Sequence, residues 1–292
     1  MISKKLKAIV SSAVAGGVLL ALSVAAFASS SSGYENYKTA VKAIVTTKNA
    51  TIDAQYEVKD NGTVLVTGDT IQKLDNENRS SKTSVTVDGT SKTYESSNAN
   101  GTFIINDDGN YYQMNKGTNS AEKDKKEKLS ESSSSVKLAE MVTDTLVGDV
   151  KNQFVQDGDN INIKLEGEQI PELAKLAVSA AVENSNREKA HNNNNDKIGH
   201  DADLKAAMDK VPSLSNIEVK SIAMTATVDG DTLKDNKITA VITGTDTNGT
   251  SHEITLTLNA KVSEVGSTKI DSIDVTGKQV TAIDGKEQHR NK

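Results

Sequence analysis

The chain contains no cysteine and no tryptophan among its 292 residues, and only two prolines. Without cysteine there is no disulfide, no thiolate–zinc site and no thiol nucleophile, and a lipid anchor on a processed N-terminal cysteine is chemically excluded. Aromatic residues make up 3% of the chain, so any core must be built from Val, Ile, Leu and Ala. An excess of positive charge is also missing. The formal net charge is −6 with both signs mixed along the chain, whereas a nucleic-acid partner would favour a basic face.

The first 28 residues form a unit of their own. Lys4, Lys5 and Lys7 precede an uncharged stretch from Ala8 to Phe27, and Ala26-Phe27-Ala28 is a small-x-small cleavage signal before the polar run Ser29 to Ser32. That order is the secretory pattern, and it predicts a mature chain starting at Ser29. The alternative is a retained anchor, since the apolar stretch approaches the ~20 residues that span a bilayer. Residues 29–292 are expected to form one exported domain, in the cell-wall space or secreted, stabilised by its core alone because it has no disulfides. Membrane contact is expected only through an uncleaved signal segment.

The mature chain opens with a helical pattern from Tyr37 to Thr47, with Tyr37, Val41 and Ile44 on one face. Strict alternation follows: Ile52, Ala54, Tyr56 and Val58 against Asp53, Gln55 and Glu57. Asp60-Asn61-Gly62 is a strong hairpin signal, because Asn-Gly accepts the positive φ of a tight turn. Hairpins around Asp88-Gly89 and Asp107–Asn110 continue a meander of about six strands. Residues 115–135 are polar and lysine-, glutamate- and serine-rich, and read as a solvated loop. Helical spacing then appears over 136–150, and a hairpin around Asp157-Gly158-Asp159 follows. Further helices are expected over 170–182, opening at Pro171 where proline is tolerated, and over 203–210. A second polar loop lies between them, over 183–199.

The last third is strand again. Ile222, Met224, Ala226 and Val228 alternate after a slip at Val219; Ile238, Ala240, Ile242 and Gly244 follow, then Ile254, Leu256, Leu258, Ala260 and Val262. Ile270 to Val275 is expected to be a final strand. Strands with one apolar and one polar face suit an antiparallel sheet with a wet outer side. The helices and the apolar sheet face each need a partner, so the expected class is α+β: a strongly curved antiparallel sheet, a half-barrel, wrapped over a few α-helices. Two domains divided near 116–135 are the competing arrangement.

Ser32 to Lys42 (SGYENYKTAVK), Asn49 to Gly62 (NATIDAQYEVKDNG) and Thr268 to Lys278 (TKIDSIDVTGK) are similar to segments of exported proteins from Gram-positive, spore-forming bacteria. The order of elements resembles the LolA/LolB-like lipoprotein-carrier fold and the mycobacterial lipid-binding lipoproteins of the LppX/LprG type. Many of those proteins keep a lipid-anchoring cysteine; this chain has none. The resemblance implies a cavity for a lipid or other hydrophobic ligand between sheet and helices. The residues placed to line it are Ala54, Tyr56, Ile222, Met224, Ala226, Ala240, Ile242, Ile254, Leu256 and Leu258.

No catalytic constellation is visible. The four histidines, His191, His200, His252 and His289, fit no ligand spacing, and His252, just after an Asn-Gly turn, reads as a solvated turn residue. Asp107–Asn110 and Asp157–Asn160 carry calcium-like oxygens but lack the twelve-residue loop and its closing Glu. No G-x-S-x-G elbow is present. The expectation is therefore a non-enzymatic cell-envelope protein without metal or cofactor. It is either a structural or protein-interaction module whose partner is an envelope protein, or a carrier of a hydrophobic small molecule or lipid.

Overall fold

The computed structural model describes residues 32–115, 153–172, 175 and 210–282. The signal segment, both polar loops after residue 115, the helical pattern over 136–150 and most of those over 170–182 and 203–210 lie outside the described residues.

Helix α1 (Ser32–Thr46) begins five residues before the expected start, which brings Tyr34 onto the same stripe as Tyr37, Val41 and Ile44. Glu35 in its first turn complements the helix dipole. At the other end the Thr46 hydroxyl donates back to the carbonyl of Lys42 at 2.9 Å. Tyr34 and Phe154 meet edge to face with ring centroids 5.7 Å apart, and Tyr37 lies 6.1 Å from the same ring.

Twelve strands make one sheet: β1 (Asn49–Asp60), β2 (Thr63–Asp75), β3 (Asn78–Val87), β4 (Thr90–Ala99), β5 (Thr102–Asp107), β6 (Asn110–Asn115), β7 (Val155–Asp157), β8 (Asn160–Glu166), β9 (Ser215–Asp229), β10 (Thr232–Thr245), β11 (Ser251–Ser263) and β12 (Val280–Ala282). Their order across the sheet is β12-β6-β5-β4-β3-β2-β1-β11-β10-β9-β8-β7. Pairing is antiparallel throughout except between β12 and β6. The first and last meanders thus join through β1 and β11, in register from Thr51↔Ser263 to Asp60↔Ile254.

The expected hairpins form where Asn-Gly and Asp-Gly stand. Asn61 and Gly62 both take positive φ, 48° and 81°, the conformation of a primed turn whose twist matches the strands. The slip near Val219 is a bulge: Ser221 pairs with Val241 but Val219 pairs with Ile242.

The α+β class with several covering helices is overturned. Among the described residues there is one complete α-helix against twelve strands, which form one mainly antiparallel sheet with the helix on part of one face. The expected helices rest on helical spacing over 136–150, 170–182 and 203–210, most of which lie outside the described residues, and the need to cover an apolar sheet face places them on the sheet. On β2 to β4 that face is mixed, with hydroxyls beside the small apolar cluster of Val66 and Val85. Buried Thr70 donates to buried Thr83 at 3.1 Å, and the hydroxyls of Ser81 and Ser96 bond at 2.8 Å. Hydroxyls paired across strands satisfy each other.

The expected strand from Ile270 to Val275 is not one. The chain from Glu264 to Gln279 instead runs as a strap over the opposite face, across the row Thr51–Lys73–Ser80–Ser97. Asn49 holds Thr268 at both its N–H (2.8 Å) and its carbonyl (3.0 Å). The Asp271 N–H donates to Ser80 Oγ at 2.9 Å, its carbonyl accepts from Ser97 Oγ at 3.1 Å, and its carboxylate pairs with Lys73 at 2.8 Å. The backbone groups of Thr268 and Asp271 are bound by side chains rather than by a ladder, so the apolar residues of 270–275 give a strand-like pattern without a strand. It ends as β12 on the edge of β6.

Candidate functional site

Register places all ten candidate residues on one face of four adjacent strands. Four cross-strand rows contain them. The first runs Ala226–Asn236–Ala260–Ala54, the second Met224–Ile238–Leu258–Tyr56, the third Ile222–Ala240–Leu256–Val58 and the fourth Val219–Ile242–Ile254–Asp60. The period of two in each strand puts alternate residues on this side, and the joining of β1 to β11 makes the face continuous.

Their environments differ. Ile222, Met224 and Ala226 belong to the main core, with Tyr34, Tyr37 and Val41 of α1, Phe154, and Ile161, Ile163 and Leu165 of β8. Ile242, Ile254 and Ala54 are buried as well. Tyr56, Ala240, Leu256 and Leu258 are half-buried, as are their row neighbours Val58 and Ala260. These six make a contiguous apolar strip between the helix-packed core and a small cluster of Val66 and Val85 on β2 and β3. The strip is shallow at Ala240 and Ala260, whose side chains are small, while Tyr56 faces Gly68 on β2. The Tyr56 ring lies directly over Gly68, and a Cβ there would fall within the ring. Burial, with the Asp69 carboxylate adding to it, raises the Tyr56 phenol above its ordinary range, so the strip carries a neutral hydroxyl.

Two polar groups interrupt the face. Buried Asn236 donates from Nδ2 to the Tyr37 hydroxyl at 2.9 Å; burial pushes that phenol strongly up, with the Asn236 bond opposing. At the hairpin end of the strip, His252 Nδ1 and Asp60 Oδ2 lie 2.8 Å apart, and His252 Nε2 is 3.7 Å from Asp246 Oδ2. The His252 side chain is only 14% exposed, which corrects its reading as a solvated turn residue. It is held because β1 and β11 are neighbours, bringing Asp60 before one hairpin turn against the first residues of β11. Nothing local in the sequence signals that pairing.

Among the described residues, no three His, Asp or Glu side chains converge to hold a metal ion, and no helix is long and apolar enough to cross a membrane. Two clefts of about 380 and 360 Å³ lie away from the strip and include none of the ten residues. One is at the β6–β12 edge; the other lies beside the 3-10 turn Gly167–Gln169 and the start of β9.

No family profile matches the chain, and no curated protein is significantly similar to it. Solved structures aligned with it include a thioesterase-II-type protein of Thermobifida fusca, at 9% identity over 78% of this chain and 85% of that one, TM-score 0.13. Others are a tesB protein of Mycobacterium avium subspecies paratuberculosis (7% identity, 80% and 86% coverage, TM-score 0.13) and a hot-dog-fold protein of Alicyclobacillus acidocaldarius (8%, 78% and 86%, TM-score 0.12). Overlap this slight carries no argument about fold or activity.

Proposed function

We propose that this is an exported, non-enzymatic module of the cell envelope that works by binding an envelope protein through the apolar strip Tyr56, Val58, Ala240, Leu256, Leu258 and Ala260. The observation that carries the reading is that these residues remain half-buried in the middle of the sheet while their neighbours on the same face, Ile222, Met224, Ile238, Ile242 and Ile254, are buried. A contiguous, partly accessible apolar strip marks a contact site more often than isolated surface leucines do. The signal pattern at residues 1–28 supplies the compartment.

A second reading has its own support. The small side chains of Ala240 and Ala260 leave a low floor along the strip, suited to an acyl chain or similar apolar ligand. Each buried CH₂ would contribute roughly 0.8 kcal/mol.

Native mass spectrometry of gently purified protein, together with uptake of a lipophilic fluorescent probe, separates the two. Co-purified lipid, with probe uptake weakened by Ala240→Trp or Leu256→Trp, favours the ligand reading. Lipid-free protein that takes up no probe, but is captured by an envelope protein in a manner abolished by Leu256→Asp, favours the interaction reading. If neither lipid nor partner responds to these variants, both are overturned.

A further inference from the structure

We propose that Asn100, in the turn between β4 and β5, is the site of a self-catalysed modification that converts its side-chain amide to a carboxylate, while the fold spares two other asparagines of matching local sequence. This inference does not depend on the apolar strip.

The chain contains three Asn-Gly pairs, and each is followed by threonine: Asn61-Gly62-Thr63, Asn100-Gly101-Thr102 and Asn248-Gly249-Thr250. Asn-Gly is open to this reaction because glycine has no Cβ to shield its backbone nitrogen. That nitrogen attacks Cγ of the asparagine. A C–N bond forms, and the side-chain amide leaves as ammonia with the proton of the glycine N–H. Water then opens the resulting cyclic imide at either carbonyl. Opening at one leaves aspartate, and opening at the other leaves isoaspartate, in which the main chain runs through Cβ and Cγ. Water is the only co-reactant, and no electrons are transferred.

Local sequence does not separate the three sites. Exposure does not either, since all three asparagines are exposed. Asn61 and Asn100 also share a backbone conformation, with φ of 48° and 50° followed by glycines at 81° and 83°. Whatever that turn costs the reaction is therefore common to both.

Restraint of the reacting groups does separate them. For attack, Cγ must swing over the next backbone nitrogen, so a bond that holds the side chain must break first. Asn61 Oδ1 accepts from the Glu253 N–H at 3.0 Å, and the Asn61 N–H donates to the Glu253 carbonyl at 2.9 Å. Both bonds exist because β1 and β11 are neighbours. Asn248 Nδ2 donates to Asp246 Oδ2 at 3.3 Å and its N–H to Asp246 Oδ1 at 2.8 Å. The attacking nitrogen is tied there too, since the Gly249 N–H donates to the Asp246 carbonyl at 3.1 Å. At Asn100 the backbone alone is held, N–H to Asn78 Oδ1 at 3.0 Å. Among the described residues its side chain makes no hydrogen bond.

Either product places a negative charge on the turn. Isoaspartate also adds a carbon to the main chain where Ala99 pairs with Thr102. A two-residue turn fixes the register of its strands, so the change falls on β5 and on β6 beside it.

The test is peptide mapping by mass spectrometry of the mature chain, residues 29–292, incubated in mildly alkaline buffer both folded and in urea. In urea the three sites should convert at similar rates, because their local sequences match. In the folded protein Asn100 should convert at least about tenfold faster than Asn61 and Asn248, the factor that one hydrogen bond supplies. Asp246→Ala frees the Asn248 side chain, and should raise the Asn248 rate about tenfold with the Asn100 rate unchanged. The comparison within the unaltered chain stands even if that variant fails to fold. Equal rates at the three sites in the folded protein, or conversion of Asn61 or Asn248 ahead of Asn100, overturns the proposal. So does a lead of Asn100 that is already present in urea, or an Asn248 rate that a folded Asp246→Ala variant does not move.

Discussion

Asn236 on β10 donates its side-chain amide to the hydroxyl of Tyr37 on α1 at 2.9 Å, inside the core and 199 residues away in sequence. This bond fixes where the helix lies on the apolar face. The Asn236 side-chain oxygen is buried and has no hydrogen-bond partner among the described residues, so the asparagine depends on this one contact. Tyr37→Phe should lower unfolding stability by about 1–3 kcal/mol, the cost of leaving a buried polar group unpaired. Urea denaturation with an unchanged m-value would show it. Asn236→Leu should cost less than Tyr37→Phe if the amide's desolvation dominates, and the same experiment compares them.

The Tyr56–Gly68 pair offers a second check. Gly68→Ala places a methyl group within the Tyr56 ring and should destabilise by about 1–3 kcal/mol. In the Tyr56→Ala background the same substitution should be nearly neutral. A double-mutant cycle in which the two effects simply add would mean the ring does not lie over the glycine.

Glu95 gives a pH prediction. The Asn106 amide donates to its carboxylate at 2.9 Å, and with Lys82 this holds its pKa below the ordinary value of 4.5, burial opposing. A depressed carboxyl contributes stability above its unfolded pKa and loses that contribution as pH falls through 4.5 and below. Asn106→Leu should move the Glu95 midpoint upward in a carboxyl-carbon NMR titration. An unmoved midpoint would assign the shift to Lys82 instead.

The strap's hold on the sheet rests on Asn49, which bonds both backbone groups of Thr268 and the Asp75 carboxylate. Asn49→Ala should cost about 1–3 kcal/mol and raise amide exchange along 264–279 more than along β9 and β10. Uniform exchange across both regions would show that the strap is not a separable unit.

The strands were legible in the sequence wherever one face is apolar, and the hairpins wherever Asn-Gly or Asp-Gly demanded positive φ. Even the slip at Val219 was visible, and it is the β-bulge. The class was not legible, because the segments with helical spacing were given weight as covering layers, whereas the described residues form twelve strands and one α-helix, with hydroxyl pairs such as Thr70–Thr83 on part of the same face. The strap was missed because Ile273 and Val275 alternate with polar residues as in a strand, while the polar side chains that bind it, Asn49 and Ser80, lie about 190–220 residues earlier. The candidate residues could be grouped by periodicity alone, but that only some of them remain half-buried depends on where α1 docks. The pairing of His252 with Asp60 depends on which strands become neighbours, which no local pattern encodes.

The central claim is that the strip around Leu256 is a contact surface, and its most direct measurement is photo-crosslinking. A photoreactive residue at Leu256, at the middle of the strip, is compared in the producing cells with one at Thr257, whose side chain is on the opposite face beside Glu57 and Thr239. The account predicts an adduct with another polypeptide, or with lipid under the second reading, from position 256 and none from position 257. Equal yields at the two positions, no adduct at 256, or a crosslink only within the chain itself would contradict it.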